Sequence, residues 1–146
     1  MDAYATHIEP LVKAALETPG DILELGCGDY STPILAAICR DRGSKLTVHA
    51  SDPDWANRYR EIADIHIVDW ANYKLEGQYG LIFLDNEEHS PGRMAKLALL
   101  KPHAKVIVMH DASQAKDTTP WDTLTSIFSN VEMYTKHVPH TAVFTC

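Results

Sequence analysis

The sequence predicts a doubly wound α/β domain: a seven-stranded sheet, mostly parallel, with helices on both faces and a terminal antiparallel β-hairpin. Three observations predict it. Short apolar runs alternate five times with segments of helical periodicity. The first run, Ile22–Gly26, passes straight into a glycine loop and a helix start. The last two β runs are joined by a turn too short for a crossover helix, so that pair must be antiparallel. All 146 residues fall into this one pattern, with no repeat, low-complexity tract or linker, so residues 1–146 are expected to form a single domain.

The elements follow in order. Tyr4, Ile8, Leu11, Val12, Ala15 and Leu16 recur at helical spacing, with Pro10 in the first turn and Thr18-Pro19-Gly20 as the stop. After the first strand, Pro33–Asp41 reads as a helix with Gly43 as its C-terminal cap. Leu46–Ala50 is the second strand. Asp54 is expected to cap a helix running through Trp55 and Tyr59 towards Ala63. Ile65–Val68 is a third strand, closed by Asp69-Trp70. Gly80–Leu84 is the fourth and ends in Asp85. Pro91–Leu100 is a helix stopped by Lys101-Pro102. Lys105–Met109 is the fifth strand and ends in His110-Asp111. Trp121–Phe128 reads as a helix, and Val131–Lys136 with Thr141–Thr145 as the hairpin.

The densest signal is Leu23-Glu24-Leu25-Gly26-Cys27-Gly28, followed by Ser31-Thr32-Pro33. Glycines let backbone approach a ligand closely. The helix start behind them offers free N–H groups and a partial positive charge. Glu24, a carboxylate in an apolar strand, needs a donor partner. This stretch resembles the first motif of the class I S-adenosylmethionine-dependent methyltransferases. Tyr30 stands where that family often has a third glycine. The resemblance implies a Rossmann-like sheet of strand order 3-2-1-4-5-7-6. It also implies S-adenosylmethionine as cofactor, with Glu24 near the methionine amino group and the loop Gly26, Cys27, Gly28, Tyr30 and Ser31 beside the ribose and carboxylate.

Ligands of open α/β sheets sit outside the carboxyl ends of the strands. An acid lies near each of the five such ends here: Glu24, Asp52, Asp69, Asp85 and Asp111. Single acids at strand ends also serve as helix caps, but a row of them suits a cationic ligand. By the resemblance, an acid at the end of strand two takes the ribose hydroxyls. Ser51-Asp52-Pro53-Asp54-Trp55 allows two registers: one puts Ala50 at that position, the other gives the role to Asp52, two residues late. Asp69 looks like the acid that accepts from the adenine amino group, and Trp70 is expected to wall the ring. Asp85 completes the cofactor set.

The acceptor side is expected at the ends of strands four and five. Val106-Ile107-Val108-Met109-His110-Asp111 resembles small-molecule O-methyltransferases, in which acids at these two strand ends can hold a divalent metal. Asp85 and Asp111 are the candidates here, with magnesium as the ion. His110, Asp111 and His89 are the candidate catalytic residues, with either histidine as the base that takes an alcohol or phenol proton. No tight ligand spacing such as His-x-x-x-His supports the metal.

Composition narrows the partners. A net charge of −7 argues against nucleic acid and anionic membrane surfaces. No apolar run approaches ~18 residues. The N-terminus lacks a basic-then-apolar leader pattern. Three cysteines at these spacings form no zinc or disulfide framework, which fits a reducing compartment such as the cytoplasm. No cap domain is visible, so the acceptor pocket is expected from the first helix, Asn86–Gly92, Ala112–Thr119 or a second subunit, which leaves homo-oligomers open. Two classes of function remain. One is a methyltransferase acting on a small molecule, most simply at oxygen. The other is a cofactor-binding module, with a close variant of the enzyme that cleaves the sulfonium without an acceptor. His110-Asp111 favours the enzyme; the short chain and Tyr30 favour the others.

Overall fold

A computed structural model describes residues 2–86, 90–112 and 121–146. Seven strands form one sheet in the order β3-β2-β1-β4-β5-β7-β6. They are β1 (Ile22–Leu25), β2 (Leu46–Ala50), β3 (Asp64–Ile67), β4 (Tyr79–Leu84), β5 (Ala104–Met109), β6 (Asn130–Tyr134) and β7 (Thr141–Thr145). The first five run parallel, and β7 pairs antiparallel with both β5 and β6. Register places the site. Leu25 pairs with Leu84, and Leu84 with Met109. Gly26, Asp85 and His110 therefore leave the sheet side by side.

Side chains alternate between two buried faces, as the pleat requires. Leu23, Leu25, Ile82, Leu84, Ile107 and Met109 face one core, with Met94, Leu97 and Leu100 of α4 (Ser90–Leu100) and Phe144 of β7. Ile22, Val48, Leu81, Phe83 and Val108 face the other, under α1 (Ile8–Glu17) and α2 (Thr32–Arg42). Helices on both faces of a largely parallel sheet make the doubly wound layout the alternating pattern implied. Among the described residues no helix is long and apolar enough to cross a membrane.

Most element ends agree with the sequence reading. Pro10 sits in the first turn of α1, and Gly43 caps α2 at φ 71°. The region after β2 departs from it. The helix expected from Asp54 towards Ala63 is only α3 (Pro53–Ala56), followed by a 3-10 turn at Asn57–Tyr59. Its cap is Asp52, not Asp54: Asp52 Oδ1 accepts from the N–H groups of Asp54 at 2.9 Å and Trp55 at 3.2 Å. Pro53 has the fixed φ suited to the first helical position, which sets the cap one residue before it. The Trp121–Phe128 helix is likewise shorter, α5 (Trp121–Thr125). Phe128 instead turns its ring onto Phe144, 4.9 Å between centroids.

Candidate functional site

The loop after β1 is shaped by its neighbours as much as by any ligand. Gly26 has φ 84°, and a Cβ there would overlap the Asp85 carbonyl oxygen and lie 2.8 Å from the Asn86 Cα. Its glycine is demanded by the backbone leaving β4. Gly28 is the open position, where the nearest atom to an added Cβ would be Ser31 Oγ at 3.8 Å. Behind the loop, Glu24 is fully buried. Ser31 Oγ donates to Oε1 of Glu24, and Thr32 Oγ1 donates to Oε2 at 2.8 Å. Thr32 Oγ1 also accepts from the Gly28 N–H at 3.0 Å. Burial pushes the Glu24 carboxyl up to about 8, against the pull of the two hydroxyls. The carboxyl thus locks loop to helix from below, and it does not line the cavity in front.

One flank of that cavity comes from β1 and β2. Trp55 Nε1 donates to the Cys27 carbonyl at 2.6 Å, and the Arg58 guanidinium lies 4.2 Å above the Trp55 ring. Asp29 accepts from the Tyr59 hydroxyl and pairs with Arg58 at 3.2 Å. Ser51 and Asp52 complete this side. Asp69 and Trp70 lie elsewhere. Asp69 caps its own turn, accepting from the Ala71 N–H at 3.0 Å and from Asn72 Nδ2 at 2.7 Å. Trp70 packs against Tyr73 and the core beside α4.

The opposite flank, at the ends of β4 and β5, is dominated by Arg93, a residue the sequence reading passed over. Arg93 is buried, with Nη2 3.2 Å from Asp85 Oδ1 and Nη1 3.0 Å from Asp111 Oδ2. It also donates to the carbonyls of Asn86 and His110, each at 3.1 Å. The two acids expected to hold magnesium thus already share a guanidinium. Magnesium needs a near-octahedral shell of oxygens at about 2.0–2.1 Å, and Arg93 stands between these two acids, so the pair is a poor cage for magnesium. Asp111 stands at φ 58°, the left-handed region that non-glycine residues seldom enter, a strain often kept at functional sites.

His110 is buried between Thr6 and Asp85. Its Nε2 lies 3.0 Å from Thr6 Oγ1 and its Nδ1 3.3 Å from Asp85 Oδ1. Beside it lies His7, also missed from sequence: 2% exposed, 4.7 Å from the His110 ring and 4.9 Å from Phe83. Burial, and then the charge of His110, lower His7 to about 4. Its Nε2 meets the Tyr30 carbonyl at 3.3 Å, while its Nδ1 has no partner among the described residues. The buried Asn86 amide has none either. His89, the other candidate base, lies outside the described residues.

These flanks enclose a cavity of about 1320 Å³. Gly26, Cys27, Gly28, Tyr30, Ser31, Ser51, Asp52, Asp85, His110 and Asp111 line it, together with Asp29, Trp55, Asn86, Arg93 and His7. The outer wall comes from Ala3 and Tyr4, at the head of the first helical run expected to help build the pocket, and from Val138 and Pro139, which the sequence reading had not enlisted. Arg93 had one legible signal: it shares a face with Leu97 and Leu100 on α4, and an arginine on an apolar helix face has a buried partner. His7 had a similar one, standing three residues after Tyr4 and four before Leu11 in the first helical run.

No family model matches the chain, and no curated protein matches it. Solved structures do. The O-methyltransferase TomG from Streptomyces achromogenes, involved in tomaymycin synthesis and solved with SAM, aligns at TM-score 0.68 and 14% identity over 95% of this chain and 79% of that one. The SAH-bound Podospora anserina methyltransferase PaMTH1 aligns at TM-score 0.68 and 15% identity over 95% and 77%. The N-terminal domain of EvdMO1, with SAH bound, aligns at TM-score 0.68 and 13% identity over 100% and 82%. The chain has the Rossmann-like fold of the class I S-adenosylmethionine-dependent methyltransferases.

Proposed function

We propose that this protein is an S-adenosylmethionine-dependent methyltransferase acting on a small molecule at oxygen. The observation that carries the reading is one cavity with two chemically different flanks. At about 1320 Å³ it exceeds the roughly 300–1,000 Å³ of an ordinary ligand pocket, so a cofactor and an acceptor fit together. That favours transfer over mere binding or cleavage.

The residues present fit the cofactor. Gly28 leaves room for a ligand against the backbone, Asn86 offers an unpartnered buried amide, and Asp29 and Asp52 present acids to a cation. Gly26, Cys27, Gly28, Tyr30, Ser31, Ser51, Asp52 and Asp85 would hold it, with Trp55 in place of Trp70 as the aromatic wall. When bound, the cofactor supplies an electrophilic methyl on a sulfonium. The chain's own work is to aim a hydroxyl lone pair in line with that methyl and to accept the hydroxyl proton. His110 and Asp111, with Asp85 and Arg93, form the polar wall for this proton. Three free thiols fit a reducing compartment.

Calorimetry with S-adenosylmethionine should show binding to the wild type. His110→Ala and Asp111→Ala should then lower turnover ~10²-fold, the usual scale for a lost proton acceptor, while cofactor affinity stays within a few-fold. An absence of binding heat rejects the cofactor, and normal turnover in both variants rejects the polar wall.

A further inference from the structure

His7, Asp85 and His110 each bring a ligand-capable atom within 4.8 Å of the others at the floor of the cavity. The surrounding hydrogen bonds decide which ring nitrogens are free. Thr6 Oγ1 donates to the Pro139 carbonyl at 2.8 Å, so it accepts from His110 Nε2–H. The Tyr30 carbonyl can only accept, so His7 Nε2 carries its proton too. Each neutral ring then keeps its lone pair on Nδ1. His110 Nδ1 lies 3.3 Å from a carboxylate oxygen of Asp85, and two lone-pair atoms at that distance repel unless a cation joins them. A proton on His110 would serve that contact alone and leave the buried Nδ1 of His7 without a partner. A metal ion would satisfy all three groups at once.

We propose that His7, Asp85 and His110 form a site for one divalent transition ion of the zinc class, bound through both Nδ1 atoms and a carboxylate oxygen. Two imidazoles and one carboxylate suit such an ion far better than magnesium. The supporting contacts are those that orient metal ligands: Thr6 and the Tyr30 carbonyl hold the far nitrogens, and Arg93 holds Asp85. Ligand atoms around one zinc ion lie roughly 3–3.5 Å apart, given bonds of about 2.0–2.2 Å. From separations of up to 4.8 Å the three groups need to close by about 1–2 Å on that scale. The ion pairs Arg93 makes with Asp85 and Asp111 leave one net negative charge beside the site.

A bound ion would take the Nδ1 lone pair that His110 otherwise offers to an acceptor proton, so the two roles of His110 exclude one another. The site does not rest on the cofactor, so it is tested without it. Chelator-treated, tag-free wild type is titrated with zinc. Calorimetry should give one ion per chain at micromolar affinity or better. Nitrogen-15 spectra of the eight histidines should show two rings, His7 and His110, bound through Nδ1 with Nε2 protonated. His7→Gln should weaken zinc at least ~10-fold, and His66→Ala, on β3, should leave it unchanged. Absence of one-to-one binding, signals from other rings, or unchanged affinity in His7→Gln overturns the site. Should His7→Gln not fold, the wild-type spectra decide alone. Loss of cofactor binding would leave this result untouched.

Discussion

The two flanks of the cavity are built on opposite plans. On the β1 side the polar groups are paired within the protein: Glu24 with Ser31 and Thr32, Thr32 with Gly28, Asp52 with its own helix start, and Asp29 with Tyr59 and Arg58. What that flank offers a ligand is shape, backbone and carboxylates that the protein already holds in place. The β4–β5 side keeps charge in reserve. Asp85, Asp111, Arg93 and His110 are interlinked, yet His7 Nδ1 and the Asn86 amide are buried without partners among the described residues. A buried unmet polar group costs about 1–3 kcal/mol. Among the described cavity-lining residues, stability alone would not keep two such groups on one side and none on the other, so the difference marks where reacting groups are held.

The sharpest break of this contrast is at Gly26. If the β1 flank works through backbone shape, Gly26→Ala should damage folding before it affects any ligand. The added Cβ strikes the Asp85 carbonyl at a positive φ, and the expected loss is about 4 kcal/mol or more, the scale of backbone overlap in a packed core. Urea unfolding measures it; a loss confined to cofactor affinity would mean the loop is shaped for the ligand after all.

Arg93 tests the other flank. Arg93→Met leaves Asp85 and Asp111 uncompensated. Removing one partner of a buried pair costs about 3–5 kcal/mol, and the lower end is expected because the two acid side chains stay 27% and 34% exposed. Adding Asp85→Asn and Asp111→Asn to Arg93→Met should recover most of the stability. If the single variant is as stable as wild type, the acids are not held by Arg93 and the magnesium reading of that pair reopens.

The comparison sharpens further through pH. The folded pKa of Glu24 is raised from 4.5 to about 8, so the folded chain binds more protons than the unfolded one between those values. Its contribution is full below about pH 4.5 and is lost as pH rises towards 8. Glu24→Gln keeps a side chain that can bond both hydroxyls and cannot ionise. The difference in stability between wild type and Glu24→Gln, followed by thermal unfolding from pH 5 to pH 8, should therefore swing in favour of the variant. A flat difference would mean that Glu24 titrates normally and that the β1 flank has no buried lock.

Much of the fold was legible because its signals are local. Ile22–Leu25 and Tyr79–Leu84 are apolar runs bounded by turn residues, and Gly43 ends its helix by a chemistry visible one residue away. The Gly26–Ser31 loop was legible for the same reason, since strand, glycines and hydroxyl cap lie within a dozen residues. The region after β2 misled because Asp52 and Asp54 both suit a cap, and the Asp52-Pro53 step decided between them.

By itself, then, the sequence determined the order of elements, the burial of both sheet faces and the glycine loop, all of which depend on residues within a turn or a pleat of one another. Only the tertiary structure decided what the acids meet. Asp85, Arg93 and Asp111 come from three elements, and His7 reaches His110 from 103 positions earlier in the chain, a fact that depends on α1 crossing above β4 and β5. Periodicity places a side chain on a face of its own element. Which charge or lone pair waits opposite is set by strand order and register, which no local pattern encodes.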